Sequence, residues 1–155
     1  MKLLHKKSGL LQEAIVELVE DEDWKVIEKN DNFNFNWIKE RKHIVHKIRL
    51  KIEDEILGLI SIEDIPKELR IHVRLIEVNY KDRGQVKRYD YIAGCLFGFI
   101  CRMAFRKGYE GYVSLFPKTE LIKYYKGQYG FQQFGKNMFI ELSKSEELVN
   151  KYLNT

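Results

Sequence analysis

Residues 71–107 read IHVRLIEVNYKDRGQVKRYDYIAGCLFGFICRMAFRK, and this stretch decides the fold. Arg70 to Asn79 has the composition of a strand, Tyr80 to Tyr91 is a polar basic loop, and a helix is predicted from about Tyr91 to Lys107. The apolar positions 92, 93, 96, 97, 100, 103 and 104 keep the helical period, and Gly108 follows as a stop. A strand passing through a basic loop into a helix is a site for an anion, usually a phosphate. The first amides of such a helix have no partner within it and carry about half a positive charge. Lys87 and Arg88 lie just upstream, where their cations add to that field. Gly94 and Gly98, four apart, leave a smooth strip for close approach of a strand or a ligand.

Charge is distributed to match. Residues 81–107 carry seven bases against Asp82 and Asp90, a local excess larger than the net +4 of the whole chain. Residues 13–31 carry eight acids against Lys25 and Lys29. An excess placed before and along one helix favours a polyanionic ligand there. A modest overall charge with interspersed acids argues against nucleic-acid binding through Tyr80, Tyr89 and Tyr91.

On the N-terminal side, Leu10–Val19 has apolar residues at 10, 11, 14, 15, 18 and 19, which predicts a helix capped by Ser8. The acidic run 20–23 then falls at its exit, as a solvated turn or as a place for a cationic acceptor. Phe33, Phe35 and Trp37 alternate with asparagines, as a short strand or an extended aromatic loop, in the core or as a lid. Ile44–Ile52 alternates as a half-buried strand, and Glu55–Ile62 is nearly continuously apolar. With Arg70–Asn79 these make an antiparallel meander. On the C-terminal side follow a short strand at Gly111–Phe116, a helix capped by Thr119, a hairpin over Phe131–Leu142, and a final helix with Ser143 and Glu146 as its capping box.

The bulk numbers set bounds. A chain of 155 residues, 45% hydrophobic and 32% charged, reads as one domain, 1–155, with its own core. The longest apolar run, Ile92–Cys101, is about half a membrane span. With no signal-peptide pattern at the N-terminus, a cytoplasmic location is expected. Cys95 and Cys101 point about 120° apart on the predicted helix and read as buried thiols. His43 and His46 fall on opposite strand faces, and no cluster has metal-ligand spacing, so no metal is expected.

From Leu57 to Phe131, about half the chain, the sequence resembles the GNAT superfamily of acyl-CoA-dependent N-acetyltransferases. The family hallmark Q/R-x-x-G-x-G/A is matched by Arg88-Tyr89-Asp90-Tyr91-Ile92-Ala93 at its first and last positions, with Gly94 next. Tyr91 stands where the family usually has glycine, so its ring must point away for a diphosphate to approach. Tyr129-Gly130-Phe131 is similar to the family's Leu-Gly-Phe after the last major helix. The resemblance implies an α+β (mixed α/β) fold, a mostly antiparallel central sheet flanked by helices, with a splay between the strands near 70–79 and 112–115.

It also implies acetyl-CoA as co-substrate and an amine as acceptor. The pantetheine arm is then expected on the backbone of Glu77 and Val78, and the pyrophosphate on the amides of Arg88, Tyr89, Tyr91, Ile92, Ala93 and Gly94. Acetyl transfer needs an amine without its proton and an acid for the departing thiolate. Tyr125 is the expected acid, with Tyr124 as its rival and a one-residue shift near Gly127, and Glu77 the expected base through water. Ser114 is a candidate for lining the acceptor site. The alternative is a non-catalytic module of this fold that senses CoA or binds another protein, with Tyr91 marking lost cofactor geometry.

Overall fold

The computed structural model describes residues 1–154. Nine strands form one sheet in the order β6-β1-β2-β3-β4-β5-β7-β9-β8. They are β1 (Lys2–His5), β2 (Leu11–Leu18), β3 (Ile44–Leu50), β4 (Gly58–Ile65), β5 (Arg70–Val78), β6 (Tyr89–Asp90), β7 (Val113–Leu115), β8 (Gln132–Phe134) and β9 (Asn137–Ile140). Four helices flank it: α1 (Asp21–Lys29), α2 (Ile92–Arg106), α3 (Ile122–Tyr129) and α4 (Leu142–Leu153). All neighbouring strands are antiparallel except β5 and β7. This is the mixed, mostly antiparallel sheet expected, and the meander β3-β4-β5 lies at its centre.

The sheet has a core on each face. On one face α2 and α4 bury Leu96, Ile100 and Leu153 against Ile48, Ile60 and Ile71. On the other, α1 and the 3₁₀ turn Trp37–Glu40 bury Trp24, Ile27 and Trp37 against Val45 and Leu59. Burying such apolar side chains contributes about 1.5–3 kcal/mol each.

Leu10–Val19 is a strand, where the spacing of its leucines predicts a helix. Leu10, Leu11 and Leu18 are exposed, while Ala14 and Val16, two apart, point into the core. The β-branched Ile15, Val16 and Val19 favour the pleat, and β1 and β3 on either side supply the hydrogen bonds. Ser8 holds the turn between β1 and β2, its Oγ accepting from the Leu10 amide at 3.2 Å. The acidic run then begins α1 instead of ending a helix. The Glu20 amide donates to the Asp23 carboxylate at 2.9 Å, and three acids fill the first turn, where the dipole favours them.

The aromatic stretch 33–37 is not a strand: Phe33 and Trp37 are core, and Phe35 is left half-exposed. Glu141 takes the capping position of α4, with no side-chain hydrogen bond, in place of the predicted Ser143 box. Gly94 and Gly98 let α4 approach α2, not a strand. A Cβ on Gly94 would overlap the Tyr152 ring, and one on Gly98 would lie 3.2 Å from the Leu148 carbonyl oxygen.

Candidate active site

β5 and β7 pair in parallel over three residues only, Ile71–Val113, His72–Ser114 and Val73–Leu115. Beyond that point β5 continues for five residues to Val78 while β7 has ended, so an edge of β5 is left without a partner. The strands therefore part as the splay requires. A cleft of about 890 Å³ occupies the opening, reaching from Phe35 and Lys118 at one rim to the first turn of α2 at the other.

A β-bulge decides which backbone groups face this cleft. Ser61 pairs with Leu75 but Ile62 pairs with Val73, so Arg74 is the extra residue. Before the bulge the Ile71 amide points to β7, donating to the Tyr112 carbonyl at 3.1 Å; after it the Asn79 amide points to β4, donating to Leu57 at 2.8 Å. The alternation is thereby shifted by one. Glu77 turns its main chain to β4, and Ile76 and Val78 turn theirs to the opening. Of the two main chains predicted to face a ligand, that of Val78 faces the opening and that of Glu77 does not, Ile76 taking its place; the Val78 carbonyl already accepts from Arg83 Nε at 2.6 Å. The bulge is held by Glu40, which accepts from Arg74 at 3.0 Å and from Ser61 at 2.8 Å.

The candidate anion site at α2 is narrower than the motif predicts. Asp82 is buried, and its Oδ1 accepts from the amides of Arg88 at 3.1 Å and Tyr89 at 3.2 Å. The Arg88 guanidinium is bound between Asp82 and Glu55. Burial works against its charge, but those two carboxylates outweigh it and hold the cation firmly. Neither Arg88 nor the amides of 88 and 89 are available to a ligand. The Tyr89 ring lies against His5, 5.2 Å away, and the Tyr91 amide donates to Asp90 Oδ1 at 2.8 Å. Of the predicted amides, those of Ile92, Ala93 and Gly94 remain: the helix supplies them no acceptor, and all three residues line the cleft.

Tyr91 itself has φ 80° and ψ 8°, the left-handed conformation that glycine favours. Its ring turns aside to meet Tyr152 of α4 at 6.2 Å. The main chain at the turn thus keeps the glycine-like course with a tyrosine in place.

Glu77 is buried with both oxygens engaged. It accepts from the amides of Asn34 at 2.6 Å and Phe35 at 3.1 Å, from Trp37 Nε1 at 2.8 Å, and from Arg83. A carboxylate offers about four acceptor positions, and four donors fill them. That is the arrangement of an anchor for the 30–37 loop, and it leaves no lone pair for the expected base role.

Tyr125 lines the cleft on α3, edge-on to Phe97 at 5.9 Å, while its neighbour Tyr124 is more than half exposed. Burial, with Tyr124 adding to it, pushes the Tyr125 phenol above its ordinary value, so it is protonated at neutral pH. α3 runs unbroken through Gly127, and Gly130 ends it at φ 81°. Ser114 is absent from the cleft lining; it hydrogen-bonds Arg70 and, at 2.9 Å, His72. Burial pushes the Cys95 and Cys101 thiols up to about 12, which leaves no thiolate nucleophile. Sequence reasoning missed Asp82, Ile76 and Lys118, while Phe35 belongs to the aromatic stretch it gave as core or lid. Of the three, only Asp82, an acid inside a basic loop, carried any signal.

Solved acetyltransferase structures share this fold. The chain is similar to spermidine/spermine N-acetyltransferase SpeG from Vibrio cholerae, with a TM-score of 0.61 and 15% identity over 92% of this chain and 96% of that one. It is similar to an N-acetyltransferase from Staphylococcus aureus Mu50, at 0.59 and 15% over 84% and 99%. Nourseothricin acetyltransferase gives 0.58 and 14% over 83% and 97%. No protein-family model and no curated protein matches the sequence. The chain has the fold of the GNAT superfamily.

Proposed function

We propose that the protein is an N-acetyltransferase that uses acetyl-CoA and acts by direct attack of an amine. The observation that carries this reading is the parting of β5 from β7 over a cleft that ends on the three unpartnered amides of α2. The main chain of Ile76 and the amide of Val78, turned to the opening, pair with the amide-bearing pantetheine arm as an added strand would. The amides of Ile92, Ala93 and Gly94 and the dipole of α2 hold the diphosphate.

Acetyl-CoA supplies an activated acyl group on a thiol leaving group. In the transfer the N–C bond forms as the C–S bond breaks. The amine's proton leaves to solvent, since the Glu77 carboxylate is filled. Tyr125 gives its phenolic proton to the departing sulfur and recovers one from water. Glu77 holds Asn34 and Phe35 at the rim as a positioning residue. The three structural relatives are described as acetyltransferases, which supports the reaction class.

Acetyl-CoA is expected to raise the melting temperature by mass action and to release free thiol in the presence of an accepted amine. Tyr125→Phe should lower turnover about a hundredfold while the stabilisation by acetyl-CoA persists. Unchanged turnover in that variant would remove Tyr125 from the mechanism. The alternative of a non-catalytic module rests on damaged geometry at Tyr91, and the retained left-handed turn with its ring aside gives it no support.

A further inference from the structure

We infer that the acceptor is an amine that also carries a carboxylate, and not a polycation. The inference rests on the acetyl-transfer reading and concerns the acceptor end of the same cleft. With the diphosphate at α2, on the sheet face of the first core, the acceptor must approach from the opposite face. There the rim is made by Phe35, from the loop packed with α1, and by Lys118.

An amine-bearing polycation needs carboxylates without a cation partner, and the cleft lining offers none. Its acids are Glu77, Asp82 and Asp90. Glu77 is filled by Arg83 and three N–H donors. Asp82 is filled by Arg88 and two amides. Asp90 takes Lys87 Nζ and the Tyr91 amide on one oxygen, at 3.1 and 2.8 Å. Each negative charge therefore faces a positive partner already in place.

The cations are not balanced in the same way. Arg83 and Lys87 are paired, whereas Lys118 has no carboxylate partner among the described residues. Its ammonium stands over the Phe35 ring at 5.2 Å. Glu77 fixes that ring's backbone, so the cation is held at the rim by a chain of contacts running back to β5. The segment 116–129, which also carries Tyr125, bears Lys118, Lys123 and Lys126 against Glu120 alone. The side of the acceptor mouth built by this segment is positive, which attracts a carboxylate and repels a second ammonium.

The test uses the full chain with acetyl-CoA, following thiol release from a panel of α- and ω-amino acids, their primary amides, and spermidine. The amides keep the amine and remove the charge. At least one amino acid should exceed its own amide by about fivefold in kcat/KM, the size of an exposed ion pair, and spermidine should rank below both. Lys118→Glu should reverse the order of acid and amide. Lys118 is exposed, and an unchanged melting temperature shows that the variant is folded. Spermidine as the best acceptor, equal use of acid and amide, or no reversal in Lys118→Glu overturns the inference and leaves the acetyl-transfer reading standing. So does a panel without turnover on a protein that acetyl-CoA still stabilises. If acetyl-CoA neither stabilises the protein nor releases thiol with any amine, the acetyl-transfer reading falls and the inference with it.

Discussion

Tyr91 carries a left-handed backbone with a side chain that disfavours it, at a cost of about 1–2 kcal/mol. The turn is nonetheless fixed, because Asp90 Oδ1 takes the Tyr91 amide and Tyr152 takes the ring. Replacing the tyrosine by glycine and by alanine separates the two effects. Both lose the ring contact, but only glycine relieves the backbone, so Tyr91→Gly should be the more stable by about 1 kcal/mol in urea denaturation. His46 is the second residue under stress. It is buried against Phe99, its Nδ1 has no partner, and burial pushes its pKa down to about 4. The unfolded chain takes that proton near the ordinary 6.5, so the native state is favoured fully above this value. Stability is then lost as pH falls from 6.5 towards 4, on the order of 3 kcal/mol in total. Measured at about pH 7.5 and about pH 5, His46→Leu should lose less stability than the parent between the two.

At the scale of elements, the site is made by what stops short or slips. β7 ends at Leu115 and leaves half of β5 bare, and the bulge at Arg74 turns Ile76 and Val78 toward the gap. α4 seals the other side of α2 through two glycines. Gly94→Ala forces a methyl into the Tyr152 ring and should destabilise the fold by about 1–3 kcal/mol. The same change in a Tyr152→Leu background should cost less, a coupling that a double-mutant cycle measures. The element-level expectations failed where one periodicity admitted two readings. The leucines of 10–19 sit at helical spacing, yet the residues that are buried are Ala14 and Val16. Nothing local distinguishes the two until β1 and β3 are present to pair with the segment.

For the whole molecule, the sheet is two units joined at a narrow waist. The β7-β9-β8 unit is bonded to the meander through only the three residue pairs of β5 with β7. A ligand lying in the gap adds a bridge between the units. Acetyl-CoA should therefore slow amide hydrogen exchange at Ile76, Val78 and Ile92–Gly94 together, with little change in β3 or β4, whose amides are already paired on both sides. Protection of the α2 amides alone would mean that the phosphates bind without the pantetheine arm entering the gap.

The sequence alone determined the central unit of strand, basic loop and helix, and the meander that precedes it. Each is written in local periodicity and in residue types whose preferences need no distant partner. Tertiary structure decided the rest. Asp82 claims two amides and the arginine that the motif appeared to offer, and Glu77 becomes an anchor because a loop forty residues away brings it three donors. The bulge exchanges Glu77 for Ile76 at the open edge. A hydrogen-bonding group has a fixed valence, and which partner fills it depends on what the fold brings near, which no spacing along the chain records.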